Sequence, residues 1–141
     1  MTVSLVIDAS FAFKLILPGA PQERLWKLMA DWEQAGHNLA APTLWRYEIT
    51  SALSKTVHFG ALTAAEGRQA LNLAHQLNLQ LIEPGDTLAN LAFEWTLRLK
   101  RAAAYDCFYL ALAETLQADF WTADKRLYQA AAVPWVHWVG D

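Results

Sequence analysis

The stretch Val3-Ser4-Leu5-Val6-Ile7-Asp8-Ala9-Ser10 decides how this chain is read. Residues 3–7 form a short apolar run without the alternation of a half-exposed strand, which marks a strand covered on both faces. The run stops at an acid, Asp8, and Ser10 stands where it can cap a short helix ending before Pro18-Gly19. A covered strand that passes at once into a helix opens an α/β domain.

The rest of the chain follows the same pattern. A helix is expected from near Pro21, a favourable first-turn residue, to near Gly36. A brief apolar piece, Leu39-Ala40-Ala41, leads to Pro42-Thr43, and from there a helix runs to about His58, with Gly60 just past its end. Thr63-Ala64-Ala65-Glu66 matches a capping box and starts a helix that ends near Asn78. Leu79-Gln80-Leu81-Ile82 reads as a strand and Pro84-Gly85-Asp86 as a turn, with Asp86 or Thr87 capping a helix to about Lys100. A further helix covers roughly 104–117. The strand Phe120-Trp121-Thr122, a short helix over 124–131 and a last strand, Trp135-Val136-His137-Trp138, complete the chain. There is no repeat, low-complexity tract or linker. Residues 1–141 are therefore read as a single α/β domain, with a mostly parallel central sheet of four to five short strands flanked by helices.

Composition narrows the function classes. Apolar residues make up 55%, above the usual range for a soluble domain, which favours a surface covered by a partner over a free monomer. The formal charge of -3 argues against nucleic-acid binding through bulk positive charge. The single cysteine, Cys107, excludes an intrachain disulfide and a cysteine metal cluster, and it suits a reducing, intracellular compartment. The N-terminus has no basic region and Asp8 interrupts its apolar run, so no signal peptide is expected. No run of about 18 uncharged apolar residues predicts a membrane span. The expected location is the cytoplasm.

Four carboxylates stand at the boundaries of apolar segments: Asp8, Glu48, Asp106 and Asp124. In parallel sheets ligands gather beyond the carboxyl ends of the strands, which places Asp8 and Asp124 at one edge. Glu48 and Asp106 come from helices whose exposure at that edge the spacing does not settle. Asp106 also has a bland reading, as an acid favoured in the first turn of a helix. Converging acids repel one another and raise each other's pKa unless a cation lies among them. Oxygen donors without nearby Cys or His select Mg²⁺ or Mn²⁺ over zinc. Setting these four aside leaves 10 acids against 11 bases, so the charge balance does not exclude RNA.

Together, Val6-Ile7-Asp8-Ala9-Ser10, the segment from Pro42 to Leu53 containing Arg46-Tyr47-Glu48, Tyr105-Asp106-Cys107-Phe108-Tyr109-Leu110, and Thr122-Ala123-Asp124-Lys125-Arg126-Leu127 resemble a PIN-domain nuclease. Within that family the chain is similar to the VapC type of toxin from toxin–antitoxin pairs. The resemblance runs from Val3 to about Val139, with the four acids in family order. It implies metal-dependent endoribonuclease activity on structured RNA, often tRNA or rRNA, leaving a 5′-phosphate and a 3′-hydroxyl. It also implies a cognate VapB-like antitoxin that covers the site, and a toxin homodimer. Carried over by position, Asp8, Glu48, Asp106 and Asp124 fall on the metal-site acids for Mg²⁺ or Mn²⁺. Asp8 and Asp106 would be direct ligands, while Glu48 and Asp124 would bind a second ion or orient water. Thr122 matches the hydroxyl residue beside the last acid, and Ser10 the small polar residue after the first. Cys107 departs from the commoner small residue, a harmless change because a buried Cys behaves as a small hydrophobe.

The remaining residues are read more plainly. Lys14, Arg46, Lys55, Lys125 and Arg126 are candidate RNA contacts, with Lys100 and Arg101 as further phosphate candidates. Glu114 lies about 80° around its helix from Asp106 and faces elsewhere, Asp119 reads as a turn residue, and Trp121 as core. Trp26, Trp32, Trp45 and Trp95 serve packing or a partner interface, and Trp135 and Trp138 lie on opposite faces of their strand. His37, His58, His75 and His137 show no metal-ligand spacing and are read as surface or helix-end residues. Haloacid-dehalogenase-like phosphatases use Asp-x-Asp after the first strand, and here Ser10 takes the second place. A receiver domain would need paired acids there and a mid-chain strand Asp, and neither is present. Two other readings stay open. One is a PIN nuclease of RNA maturation, and the other a catalytically weak PIN fold that binds RNA or protein. The retained acids and the compact single domain favour the toxin.

Overall fold

The computed structural model describes residues 3–19 and 22–140. Five strands form one sheet: β1 (Ser4–Ile7), β2 (Asn38–Pro42), β3 (Leu79–Ile82), β4 (Asp119–Thr122) and β5 (Val136–Trp138). They lie in the order β3-β2-β1-β4-β5, and every pairing is parallel. The covered strand of the sequence reading is the central one. Leu5, Val6 and Ile7 are buried, and Val6 pairs with Ala40 on one side and Phe120 on the other.

Seven helices flank the sheet among the described residues: α1 (Ala9–Ile16), α2 (Glu23–Gln34), α3 (Leu44–His58), α4 (Ala64–Gln76), α5 (Asp86–Leu99), α6 (Tyr105–Leu116) and α7 (Lys125–Ala131). Phe11, Leu25, Ile49, Tyr109, Leu110, Leu112 and Phe120 are fully buried between the layers. The capping box holds: Thr63 N–H donates to Glu66 Oε1 at 2.9 Å and Glu66 N–H to Thr63 Oγ1 at 3.1 Å. Gly67 lets α4 approach α3, since a Cβ there would stand 2.7 Å from Val57 Cγ2. No described helix is long and apolar enough to cross a membrane.

Several local readings are corrected. The cap of α1 is Asp8, which accepts from Phe11 N–H, and not Ser10, whose hydroxyl is turned to Asp8 itself. Helix α5 begins at Asp86 behind Gly85, with no side-chain cap. The expected start near Pro21 lies outside the described residues, and α2 stops at Gln34, two residues before Gly36. Asp119 opens β4, and its Oδ2 lies 3.5 Å from His137 Nε2. His137 is itself a strand residue that stacks on Trp121. Trp121 is half-buried, edge-on to Trp32. Trp135 precedes β5 and packs on Trp95, whereas Trp138 lies against Tyr128, so the two share no platform.

Parallel pairing brings the carboxyl ends of all five strands to one edge. Asp8 follows β1 directly, and Asp124 lies two residues beyond β4. Helix α3 leaves the same edge after β2, so Glu48 occupies its second turn. Helix α6 must run back to feed β4, which puts its first turn, with Asp106, at this edge as well.

Candidate active site

Two kinds of support hold the four acids. On the strand side, burial brings three donors onto Asp8. Its Oδ1 accepts from Ser10 Oγ at 2.7 Å and Phe11 N–H at 2.9 Å, and its Oδ2 from Thr122 Oγ1 at 2.5 Å. The two hydroxyls also accept. Ala123 N–H donates to Ser10 Oγ at 3.0 Å, and Asp124 N–H to Thr122 Oγ1 at 3.0 Å. Thr122 is fully buried, so this knot ties the ends of β1 and β4 together. Asp124 then caps α7, its Oδ1 accepting from Leu127 N–H at 3.1 Å.

On the helix side each acid has one partner. Tyr109, one turn after Asp106 on α6, donates its hydroxyl to Glu48 Oε1 at 2.6 Å. Arg101, on the loop before α6, places Nη1 2.8 Å from Asp106 Oδ2. Glu48, Asp106 and Asp124 line one cavity of about 590 Å³ together with Arg101, Tyr105 and Arg126.

The electrostatics link all four acids. Burial raises Asp8 to about 6, against the three donors, and the charge of Asp106 adds to the rise. Burial also raises Glu48, opposed by the Tyr109 hydrogen bond and reinforced by Asp106. Asp106 is raised by burial and by Asp124, while Arg101 pulls it down. Burial, then the charge of Glu48, pushes the Tyr109 hydroxyl far above the ordinary tyrosine range, so it acts as a fixed donor. Partly desolvated carboxylates that repel one another favour a cation among them. The donors are carboxylate and hydroxyl oxygens, the chemistry of a hard cation. As the side chains stand, each acid turns to its own donor. Among the described residues, no three His, Cys, Asp or Glu side chains close on one point.

The PIN domain profile matches residues 5–133. This chain belongs to the PIN-domain family. Its relatives include a VapC ribonuclease of Mycobacterium bovis and ribonuclease VapC9 of Mycobacterium tuberculosis, each 32% identical over 123 residues, which is 87% of this chain and 87% of the relative. Among solved structures, VapBC2 from Rickettsia felis bound to a promoter DNA fragment superposes with a TM-score of 0.71 at 11% identity, covering 98% of both chains. A Pyrobaculum aerophilum protein reaches 0.69 at 22% identity, over 92% of this chain and 87% of its own. At such identities the likeness speaks for the PIN fold alone.

Within this PIN domain the candidate RNA-contacting bases scatter. Arg126 lines the acidic cavity. Lys125 holds its ammonium 5.2 Å over the Trp138 ring. Lys14 donates to the Gly140 carbonyl oxygen, and Arg46 and Lys55 are exposed on α3. Cys107 is buried, and burial pushes its thiol up, so it is no nucleophile. Glu114 accepts from Trp95 Nε1 at 2.9 Å, away from the cavity. The sequence reading missed the role of Tyr109 and the pairing of Arg101. The i, i+3 spacing of Asp106 and Tyr109 put both on one helix face, a signal that was available.

Proposed function

We propose that this PIN domain is a metal-dependent endoribonuclease that hydrolyses RNA phosphodiester bonds, and that it is the toxin of a toxin–antitoxin pair. The observation that carries this reading is the gathering of Asp8, Glu48, Asp106 and Asp124 at one sheet edge, three of them around a single cavity, with their charges reaching one another. The names of the VapC ribonuclease relatives support the activity, and that of the VapBC complex supports the pairing.

Asp8, Glu48, Asp106 and Asp124 would hold Mg²⁺ or Mn²⁺. Such an ion would supply Lewis-acid activation of water and offset the charge growing on the phosphate. The chain's own residues do the positioning. Ser10, Thr122 and Phe11 N–H fix both oxygens of Asp8, and Thr122 also sets the backbone of Asp124. Tyr109 takes one oxygen of Glu48 and leaves the side chain at the cavity. Arg126 offers a positive charge at the wall for the phosphates of a tRNA or rRNA substrate in the cytoplasm. Tyr47, Phe59, Phe93 and Leu97 are exposed apolar groups that a second copy and a VapB-like antitoxin would cover.

The test is incubation with RNA in Mg²⁺ or Mn²⁺, with EDTA and an Asp106→Asn variant as controls, followed by sequencing of the new RNA ends. Cleavage that needs the ion and is lost in the variant is expected. Cleavage that persists in EDTA, or at full rate in Asp106→Asn, would overturn the reading. For the pairing, the chain expressed alone should arrest growth or self-associate and become well behaved with its partner, whereas a stable, inert monomer would count against it.

A further inference from the structure

Arg101 sits where it can compete with a cation. Lys100 takes a left-handed conformation at φ 54°, and Arg101 N–H closes the end of α5 on the Thr96 carbonyl oxygen at 3.1 Å, so the backbone of Arg101 is anchored at the cavity. Ala102, Ala103 and Ala104 follow and add no bulk. Asp8, Glu48 and Asp124 are held by hydroxyl or backbone N–H donors. Among the described residues, Asp106 alone of the four acids is held by a full positive charge.

We propose that Arg101 is the internal counter-cation of this site, holding Asp106 while no divalent ion is bound and, once released, gripping a phosphate of the RNA. The inference rests on the nuclease reading above. A guanidinium and a divalent ion at one carboxylate oxygen repel each other and claim the same lone pairs. The pair is partly exposed, with side chains 26% and 39% accessible, and pairs of that kind are easily broken. The guanidinium fork suits phosphate as well as carboxylate, and the anchored backbone keeps it at the cavity wall after release.

The sign of one measurement separates this from a structural clamp. If Arg101 merely braced Asp106, its removal would weaken ion binding, whereas competition predicts tighter binding. Mn²⁺ is titrated into Arg101→Gln, Arg101→Lys and the unsubstituted protein without RNA, read by electron paramagnetic resonance. Arg101→Gln should bind about two- to fivefold tighter, the fold-change a partly exposed ion pair is worth. Affinity for a labelled oligoribonucleotide is then measured in Ca²⁺ at several salt concentrations. Arg101→Gln should bind more weakly, with a logarithmic salt slope shallower by about 0.7, as for one lost phosphate contact on a single strand. Arg101→Lys keeps the charge without the fork and should fall between, and it serves if the glutamine variant does not fold.

Mn²⁺ affinity that is unchanged or weaker in Arg101→Gln overturns the counter-cation. Unchanged RNA affinity and slope overturn the phosphate grip. An unsubstituted protein that binds Mn²⁺ and cleaves RNA while both variants match it sinks this inference alone. Failure of the unsubstituted protein to bind Mn²⁺ sinks the metal-site reading and this inference together.

Discussion

Asp8 and Asp106 carry the same side chain a few residues from the same sheet edge, and the fold treats them in opposite ways. Asp8 is buried, with both oxygens engaged by neutral donors from β4 and α1. Asp106 is partly exposed at the head of a helix and leans on one arginine from a neighbouring loop. A carboxylate held by three short donors in the core cannot turn away without leaving them unsatisfied, at about 1–3 kcal/mol each. A partly exposed ion pair opens for about 1 kcal/mol or less. The strand half of the site is therefore a fixed mount, and the helix half is adjustable.

The largest expected effect treats the two acids alike. Asp8→Asn and Asp106→Asn should each lower cleavage by more than about a hundredfold, since even the outer partners of metal ligands cost ten- to a hundredfold. A rate assay on labelled RNA checks this, and a variant at full rate removes its acid from the site.

Stability without ions should then part them. Asp8 takes up its proton near pH 6 in the folded chain, against an ordinary value of 3.8. Between those values the folded state binds more protons than the unfolded one, so stability falls as pH rises from about 4 to 6 and stays lowered above. The shift corresponds to a destabilisation on the order of 2–3 kcal/mol at neutral pH. Asp8→Asn keeps an oxygen for the Phe11 cap and should recover much of it, whereas Asp106→Asn should move stability by under about 1 kcal/mol. Melts of both variants in EDTA across that pH range give the answer. A difference between Asp8→Asn and the parent that does not shrink towards pH 4 would break the contrast.

Smaller effects probe the supports. Thr122→Val keeps the shape but leaves Asp8 Oδ2 and Asp124 N–H without their partner in the core, at about 1–3 kcal/mol. Tyr109→Phe strips one donor from a half-exposed Glu48 that water can reach, so its cost should be nearer 1 kcal/mol. Urea titrations rank the two, and an equal or reversed ranking would mean that both halves are mounted alike.

Much of the fold was legible because its signals are local. The apolar run at residues 4–7, the Thr63–Glu66 box, and Gly60 with its φ of 82° depend on a few neighbouring residues. The helix caps were less legible. Ser10 and Asp8 are both good caps two residues apart, and the choice fell to Thr122, 112 positions beyond Ser10 in sequence, whose hydroxyl draws Ser10 and Asp8 into one knot. At the site, the position of Asp8 and Asp124 at the sheet edge followed from their place after strands. The position of Glu48 and Asp106 did not, because a helix residue's exposure depends on what packs beside the helix.

By itself, then, the sequence determined which segments are strands and helices and that the sheet is mostly parallel. Those properties rest on hydrophobic period and short-range hydrogen bonding, which neighbours along the chain specify. The tertiary structure decided which donor each acid meets: Thr122 for Asp8, Tyr109 for Glu48, Arg101 for Asp106. A carboxylate's pKa, mobility and readiness for a cation depend on burial and on charges a few ångströms away, and only packing sets those distances.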